Sequence, residues 1–363
     1  MRICFIGPAN SAHIVKWCTW FNGRGHKTHV ISFTPGKIEN TEVHLIDIGV
    51  DVGGSDAGKL KYLTTGGRIK QLVDGIKPDI VNVHYATSYG MAVALSGVKQ
   101  YVLSVWGSDI YDFPKRSPFH KALLKYSLWK APYLFSTSRA MAQEAALYTK
   151  KSFEITPFGV DMKLFNPDKR TRLPEDQSLI VGTVKGLSDN YGIADILRAV
   201  SIIKREGIIP IQLRIAGKGP QEQEYKKLAK ELDIEDITCW LGFISQEKAA
   251  EEWANMDIAV IPSTAESFGV SAVEAQACGT AVIISNIPGL MEATDPSSSS
   301  IVVHRNAPDE IANGIRTLSD QKTRQQYAIH GLEYVRNKYE INHCFEKIEA
   351  SFKQIRGSEG SRA

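Results

Sequence analysis

The chain has no CxxC pair, no strict DxD, no GxxxxGK[ST] loop and no apolar run long enough to span a bilayer. Each absence removes a class. The five cysteines (Cys4, Cys18, Cys239, Cys278, Cys344) are odd in number and mostly in apolar or helical settings, so they read as buried free thiols in a reducing compartment. Without the P-loop, a nucleotide hydrolase of that type lacks its phosphate cradle. The dinucleotide fingerprint also fails. Gly217-Lys-Gly-Pro220 has Glu222 where the third glycine would stand, and Gly23-Arg-Gly25 ends a helix, where it reads as a C-cap. A net charge of +3 is too small to argue for nucleic acid. Met1–Gly7 is too short an apolar run for a signal peptide and reads as a first strand. The expectation is a cytoplasmic protein, to which a peripheral position on the inner face of the cell membrane stays open.

What is present is strand alternating with helix, twice over. At 363 residues the chain fits two domains of ordinary size, and 43% apolar content is enough to give each a core. Ile3–Ile6, His29–Phe33, Asp79–Val83, Tyr101–Val105 and Tyr133–Ser136 read as strands. Helical patterns over Ala12–Phe21, Leu60–Ile76 and Phe119–Lys130 lie between them. The rhythm breaks at Thr156–Pro167, and a polar, charged stretch continues to Gln177. It restarts with strands at Leu179–Val184, Gln212–Ala216, Ile237–Leu241, Asp257–Ile261, Ala281–Ile284 and Ser300–Val303. From Asp309 to Ile355 the chain reads as nearly all helix, and the serine tract Ser297–Ser300 as a mobile loop. The expected organisation is a first domain over 1–168, a second over 169–340, and a terminal helix over 341–363 that packs back on the first. The fold class expected is α/β: two Rossmann-like doubly wound domains facing each other across a cleft, with ligands at the carboxyl ends of the strands.

One stretch carries chemistry. Glu266-Ser-Phe-Gly-Val-Ser-Ala-Val-Glu274 follows the apolar run Ile258–Pro262 and enters an alanine-rich helix near Gly269. Unpaired amides at a helix start, with a glycine that lets a ligand approach, suit a phosphate. Glu266 and Glu274 bracket that start and offer acceptors to groups on either side. A diphosphate flanked by two hydroxyl-bearing rings, a nucleotide sugar, fits this pattern. A glycosidase also uses two carboxylates, but the phosphate cradle would then have no purpose.

These residues resemble the retaining glycosyltransferases of family 4, which have the GT-B fold. Glu266 and Glu274 match the family's E-x7-E signature. Pro157-Phe-Gly-Val-Asp161 with Phe165-Asn-Pro167 is similar to its interdomain motif. Ile215-Ala-Gly-Lys-Gly-Pro220, Leu241-Gly-Phe243 and Arg24-Gly-His26 resemble further family turns in the right order. The resemblance implies transfer of a sugar, hexosyl or N-acetylhexosaminyl, from a nucleoside diphosphate donor, most often UDP, with retained configuration. It implies no cofactor and no metal. Glu266, Lys185 and Asp109 would be catalytic. Glu274 would hold the ribose, the amides of Phe268, Gly269 and Val270 the diphosphate, Ser267 would also bind the donor, and Gly217 and Phe243 would border the base.

Three positions depart from the family pattern: Gly182-Thr183, Tyr191-Gly192 and Trp106-Gly-Ser-Asp109, where a histidine is usual in place of Trp106. Asn10, Ser11, His13, His84 and Trp106 are candidates for the acceptor side. The partners implied are the donor and a glycan or lipid-linked glycan acceptor of surface polysaccharide assembly, with no nucleic acid. Basic and aromatic residues over Phe113–Lys130 suit contact with an anionic membrane. An epimerase or phosphorylase of similar fold, and a non-catalytic nucleotide-sugar-binding protein, remain open alternatives at this point.

Overall fold

The structure, a computed structural model, describes residues 1–49, 60–172 and 178–360. The charged stretch read up to Gln177 lies partly outside the described residues. The chain forms two compact units. The first is Met1–Pro157 together with the chain from Phe345 onward, and the second is Phe158–Cys344.

The first unit is built on seven parallel strands: β1 Arg2–Ile6, β2 Lys27–Ser32, β3 Thr41–Leu45, β4 Ile80–His84, β5 Val102–Val105, β6 Tyr133–Ser136 and β7 Glu154–Ile155. Their order is β3-β2-β1-β4-β5-β6-β7. β1, β4 and β5 are buried almost throughout, as strands covered by helices on both faces must be. Ile6, Val83, Leu103 and Val105 join one core with Leu124 and Leu128 of helix Pro118–Lys130. The last helix, Ile341–Gly360, begins in the second unit. From Phe345 it supplies rings to the first, where Phe345 and Phe352 pack against Trp17 and Phe21 at 5.2–6.4 Å between centroids. Glu349 on this helix is nearly enclosed and takes hydrogen bonds from Lys353, His26 and Arg24. Burial works against its charge, but these hydrogen bonds and the Lys353 charge outweigh it and hold the carboxyl at about 2.

The second unit has six parallel strands: β8 Leu179–Val184, β9 Ile211–Ala216, β10 Thr238–Gly242, β11 Ile258–Ile261, β12 Ala281–Ser285 and β13 Ser300–Val303. Their order is β10-β9-β8-β11-β12-β13. Val181, Leu213, Ile215, Val260 and Ile283 pack with Ile196, Val200 and Ile315 of the covering helices. In both sheets the strand order reverses once, between β1 and β4 and between β8 and β11. At such a reversal the loops above the strand ends diverge and leave a crevice.

Two expectations are corrected. The serine tract is not a mobile loop. Asp295 collects Ser297 and Ser298 through its carboxylate, Ser299 is fully buried, and Ser300 opens β13. The region 60–76 is not one helix: a 3-10 turn over Leu60–Thr64 precedes the helix Gly66–Ile76. Four of the five cysteines are buried and Cys239 is exposed. No helix among the described residues is long and apolar enough to cross a membrane.

Candidate functional site

The reversal point of the second sheet gathers most of the expected donor residues. β8 ends at Val184, so Lys185 lies directly above its carboxyl end; β11 ends at Ile261 and leads through a short loop to Glu266. Lys185 Nζ donates to Glu266 Oε2 at 2.6 Å, and its ammonium also sits 4.6 Å from the centre of the Tyr191 ring. Both partners of the pair are largely enclosed, with 11% and 14% of the side chains exposed. The loops are tied together by Thr264 N–H donating to the Asn190 carbonyl at 2.8 Å, and by Ser271 Oγ donating to the Val184 carbonyl at 3.3 Å.

Two glycines make this geometry possible. Gly269 has φ +92° and caps the helix Val270–Ala277, where a side chain would also press on Leu290. Among the described residues no backbone carbonyl takes the N–H of Phe268 or Gly269, so the helix start presents free donors. The Phe268 ring is buried against Phe158 and Tyr339, which anchors that turn from below. Gly217, with φ +141°, passes so close to the Lys185 carbonyl that a Cβ would lie 1.9 Å from its oxygen. Its N–H donates to the Gly242 carbonyl at 2.7 Å, which sets Phe243, 79% exposed, beside it. Glu274 is half-buried on the helix that Gly269 opens. A cation, free amides and a carboxylate thus converge on the carboxyl ends of β8 and β11. That set can hold a diphosphate and counter the charge that builds on it as a leaving group.

The first unit carries its own cluster at its reversal point. The Ser11 hydroxyl caps helix Ala12–Gly23 by accepting from His13 N–H. The rings of His13 and His84 meet Trp106 at 5.5 and 5.1 Å between centroids. Burial depresses both imidazoles to about 3, helped by Lys16 at His13 and by His13 at His84, so both are neutral at pH 7. Asn10 is exposed and accepts from Thr34.

Two candidates here are corrected. His84 is fully buried between Phe5, Trp17 and Trp106 and lines no surface. Asp109 is also fully buried. Its carboxylate accepts from the N–H of Ala86 at 2.8 Å, of Gly107 at 2.7 Å and of Trp106 at 3.2 Å. Burial pushes its pKa up against the pull of those bonds. It holds the turn after β5 and does not face a ligand. Among the described residues, His29, Glu42 and His44 on β2 and β3 are the histidines and carboxylate close enough to share a metal ion.

Family models match both units: "Glycosyl transferase 4-like" over residues 2–138 and "Glycosyl transferases group 1" over residues 166–332. The chain belongs to the family-4 glycosyltransferases of the GT-B fold. Among relatives of this glycosyltransferase is an uncharacterized glycosyltransferase of Methanocaldococcus jannaschii. It is 31% identical over 191 residues, which are 51% of this chain and 48% of the relative. The D-inositol 3-phosphate glycosyltransferase of Pseudarthrobacter chlorophenolicus is 29% identical over 175 residues, 46% of this chain and 42% of that protein. The match therefore spans about half the length of these curated relatives. Two solved structures share the fold across both chains. Sucrose-phosphate synthase from Thermosynechococcus elongatus has a TM-score of 0.81 at 20% identity, covering 99% of this chain and 100% of that one. HepE of Anabaena, in complex with UDP and glucose, has 0.78 at 17%, covering 98% and 100%.

Sequence reasoning missed Tyr191 as a site residue and the strained backbone at Tyr85. Tyr191 stood out only as a departure from the family pattern; its role as a platform for Lys185 depends on a loop shape that spacing does not reveal. Tyr85 adopts φ +81°, rare for a bulky residue, at the carboxyl end of β4. No sequence signal marks such a strain.

Proposed function

We propose that this glycosyltransferase moves a hexosyl or N-acetylhexosaminyl group from a UDP-sugar to a hydroxyl of a glycan or lipid-linked glycan, retaining the anomeric configuration and needing no metal. The observation that carries the reading is the enclosed Lys185–Glu266 pair beside the free amides of the Gly269 turn. The donor diphosphate accepts from those amides and from Lys185. Glu266, released from the lysine, turns its carboxylate to hydroxyls of the donor sugar, and Glu274 accepts from the ribose. As the bond from the anomeric carbon to phosphate breaks, charge grows on the diphosphate. Lys185 and the amides bind that charge more strongly in the transition state than before it, which is what lowers the barrier. The acceptor hydroxyl attacks the face that the diphosphate leaves, and a phosphate oxygen takes its proton. The UDP complexes of HepE support the choice of nucleotide.

The test is thermal stabilisation across UDP, GDP, ADP and their sugars, followed by nucleotide release with and without acceptor and with excess chelator. UDP-sugars should give the largest rise in melting temperature, and release should be acceptor-dependent and indifferent to chelator. Stabilisation by no nucleotide would refute the donor site. Binding without turnover on any acceptor would favour a non-catalytic binding protein.

A further inference from the structure

The first unit holds a cavity of about 360 Å³, within the roughly 300–1,000 Å³ of small-molecule sites. It opens above the carboxyl ends of β1, β4 and β5, where Pro8, Tyr85 and Trp106 line it. Among the described residues its wall is mostly aromatic and aliphatic, and no carboxylate contributes. Two of the tyrosine hydroxyls in the wall are engaged with protein: that of Tyr85 bonds to Ser108, and that of Tyr89 accepts from the Phe33 N–H at 3.2 Å. Those two offer ring faces more than hydrogen bonds, and beside the apolar wall only Tyr62, Thr87 and Ser88 add hydroxyls, a poor match to the many groups of a polyol. Among the described residues the one cation in the wall is Arg116, with His120 beside it; Ser117 engages His120 at Nδ1, at 2.7 Å.

We propose that this cavity seats the apolar chain of an isoprenoid phosphate, the lipid portion of a lipid-linked acceptor, with the phosphate on Arg116 and His120. The inference rests on the acceptor reading given under Proposed function and deepens it. An apolar wall with one guanidinium matches an amphiphile that ends in an anion, and Arg is the side chain best shaped to grip phosphate. The surrounding surface fits delivery from a bilayer. Phe119, which lines the cavity, is 58% exposed, and Trp129 on the same helix is 63% exposed. Lys121, Lys125 and Lys130 on that helix are exposed as well, a combination suited to an anionic lipid surface. The strained backbone of Tyr85 lies in the wall of this cavity, as strain often does at ligand sites.

Titration of the full chain with geranyl phosphate, read by tryptophan fluorescence, tests this, with geraniol, inorganic phosphate and maltose as controls. Geranyl phosphate should bind at least about tenfold more tightly than geraniol, and phosphate and maltose should not compete with it. Met91→Trp, which fills the cavity, and Arg116→Ala, which leaves the fold's core untouched, should each weaken it about tenfold or more. Equal binding by wild type and Arg116→Ala, or displacement by maltose, overturns the proposal. The UDP-induced melting shift on the same wild-type sample reports separately on the donor site. Loss of one signal without the other tells which reading has failed.

Discussion

Lys185→Met is the change on which the donor site stands. In the molecule as described, Lys185 donates to Glu266 at 2.6 Å, with both side chains mostly enclosed. An exposed pair is worth roughly 0–1 kcal/mol. Removing one partner of a fully buried pair costs about 3–5 kcal/mol, because the other charge is left stranded. With 14% of the Glu266 side chain still reaching water, a loss of about 2–3 kcal/mol of stability is expected. Adding Glu266→Gln removes the stranded charge and should recover most of that loss, a coupling that a double-variant cycle measures. Turnover should behave differently. A donor aimed at a leaving oxyanion is worth about 10²–10³ in kcat. If Lys185 acts on the diphosphate, the double variant regains its melting temperature but stays at least about a hundredfold slower than Glu266→Gln alone. The assay is nucleotide release at saturating donor and acceptor, beside thermal melting of the four proteins. A double variant that recovers turnover along with stability, or a single variant with unchanged kcat, would show the pair to be structural and refute the reasoning.

Asp109→Ala should lower stability by about 2–4 kcal/mol by orphaning the N–H groups of Ala86, Gly107 and Trp106, the first two of them buried; an unchanged melting temperature with lost activity would put Asp109 back in the chemistry. His84 is held near 3, against about 6.5 in the unfolded chain, so the unfolded state binds the extra proton between those values. Its contribution is complete above about pH 6.5 and declines by up to about 1.4 kcal/mol per pH unit as pH falls toward 3. Denaturant titrations at several pH values should show that slope, and His84→Phe should reduce it. Phe345→Ala should cost about 3–5 kcal/mol, since its ring packs on Trp17, Trp20 and Phe21 in the first unit; a loss under 1 kcal/mol would mean the helix is only loosely docked there. Replacing Lys121, Lys125 and Lys130 by Glu should abolish flotation with anionic liposomes, and retained flotation rules out this helix as a membrane contact.

The alternation of apolar runs was legible because parallel strands buried on both faces leave a continuous signature. β8 and β13 begin and end at the expected residues. β3 was missed because it is a sheet edge whose residues are half-exposed, so no apolar run marks it, and β7 because two residues carry no period. The helix Tyr89–Ser96 was missed for the opposite reason: it is apolar nearly all round, so no 3.6-residue stripe stands out.

At the site the division is similar. The order of residues by itself determined the E-x7-E helix start, its glycine and the family, because those depend on neighbours along the chain and on the intrinsic freedom of glycine. Tertiary structure alone decided that Lys185 meets Glu266 from 81 positions away, that Tyr191 supports the lysine, and that Asp109 and His84 are sealed inside. Whether a charged side chain faces a ligand or ties down a turn depends on which strand ends stand side by side, and the strand order is fixed only when the sheet assembles.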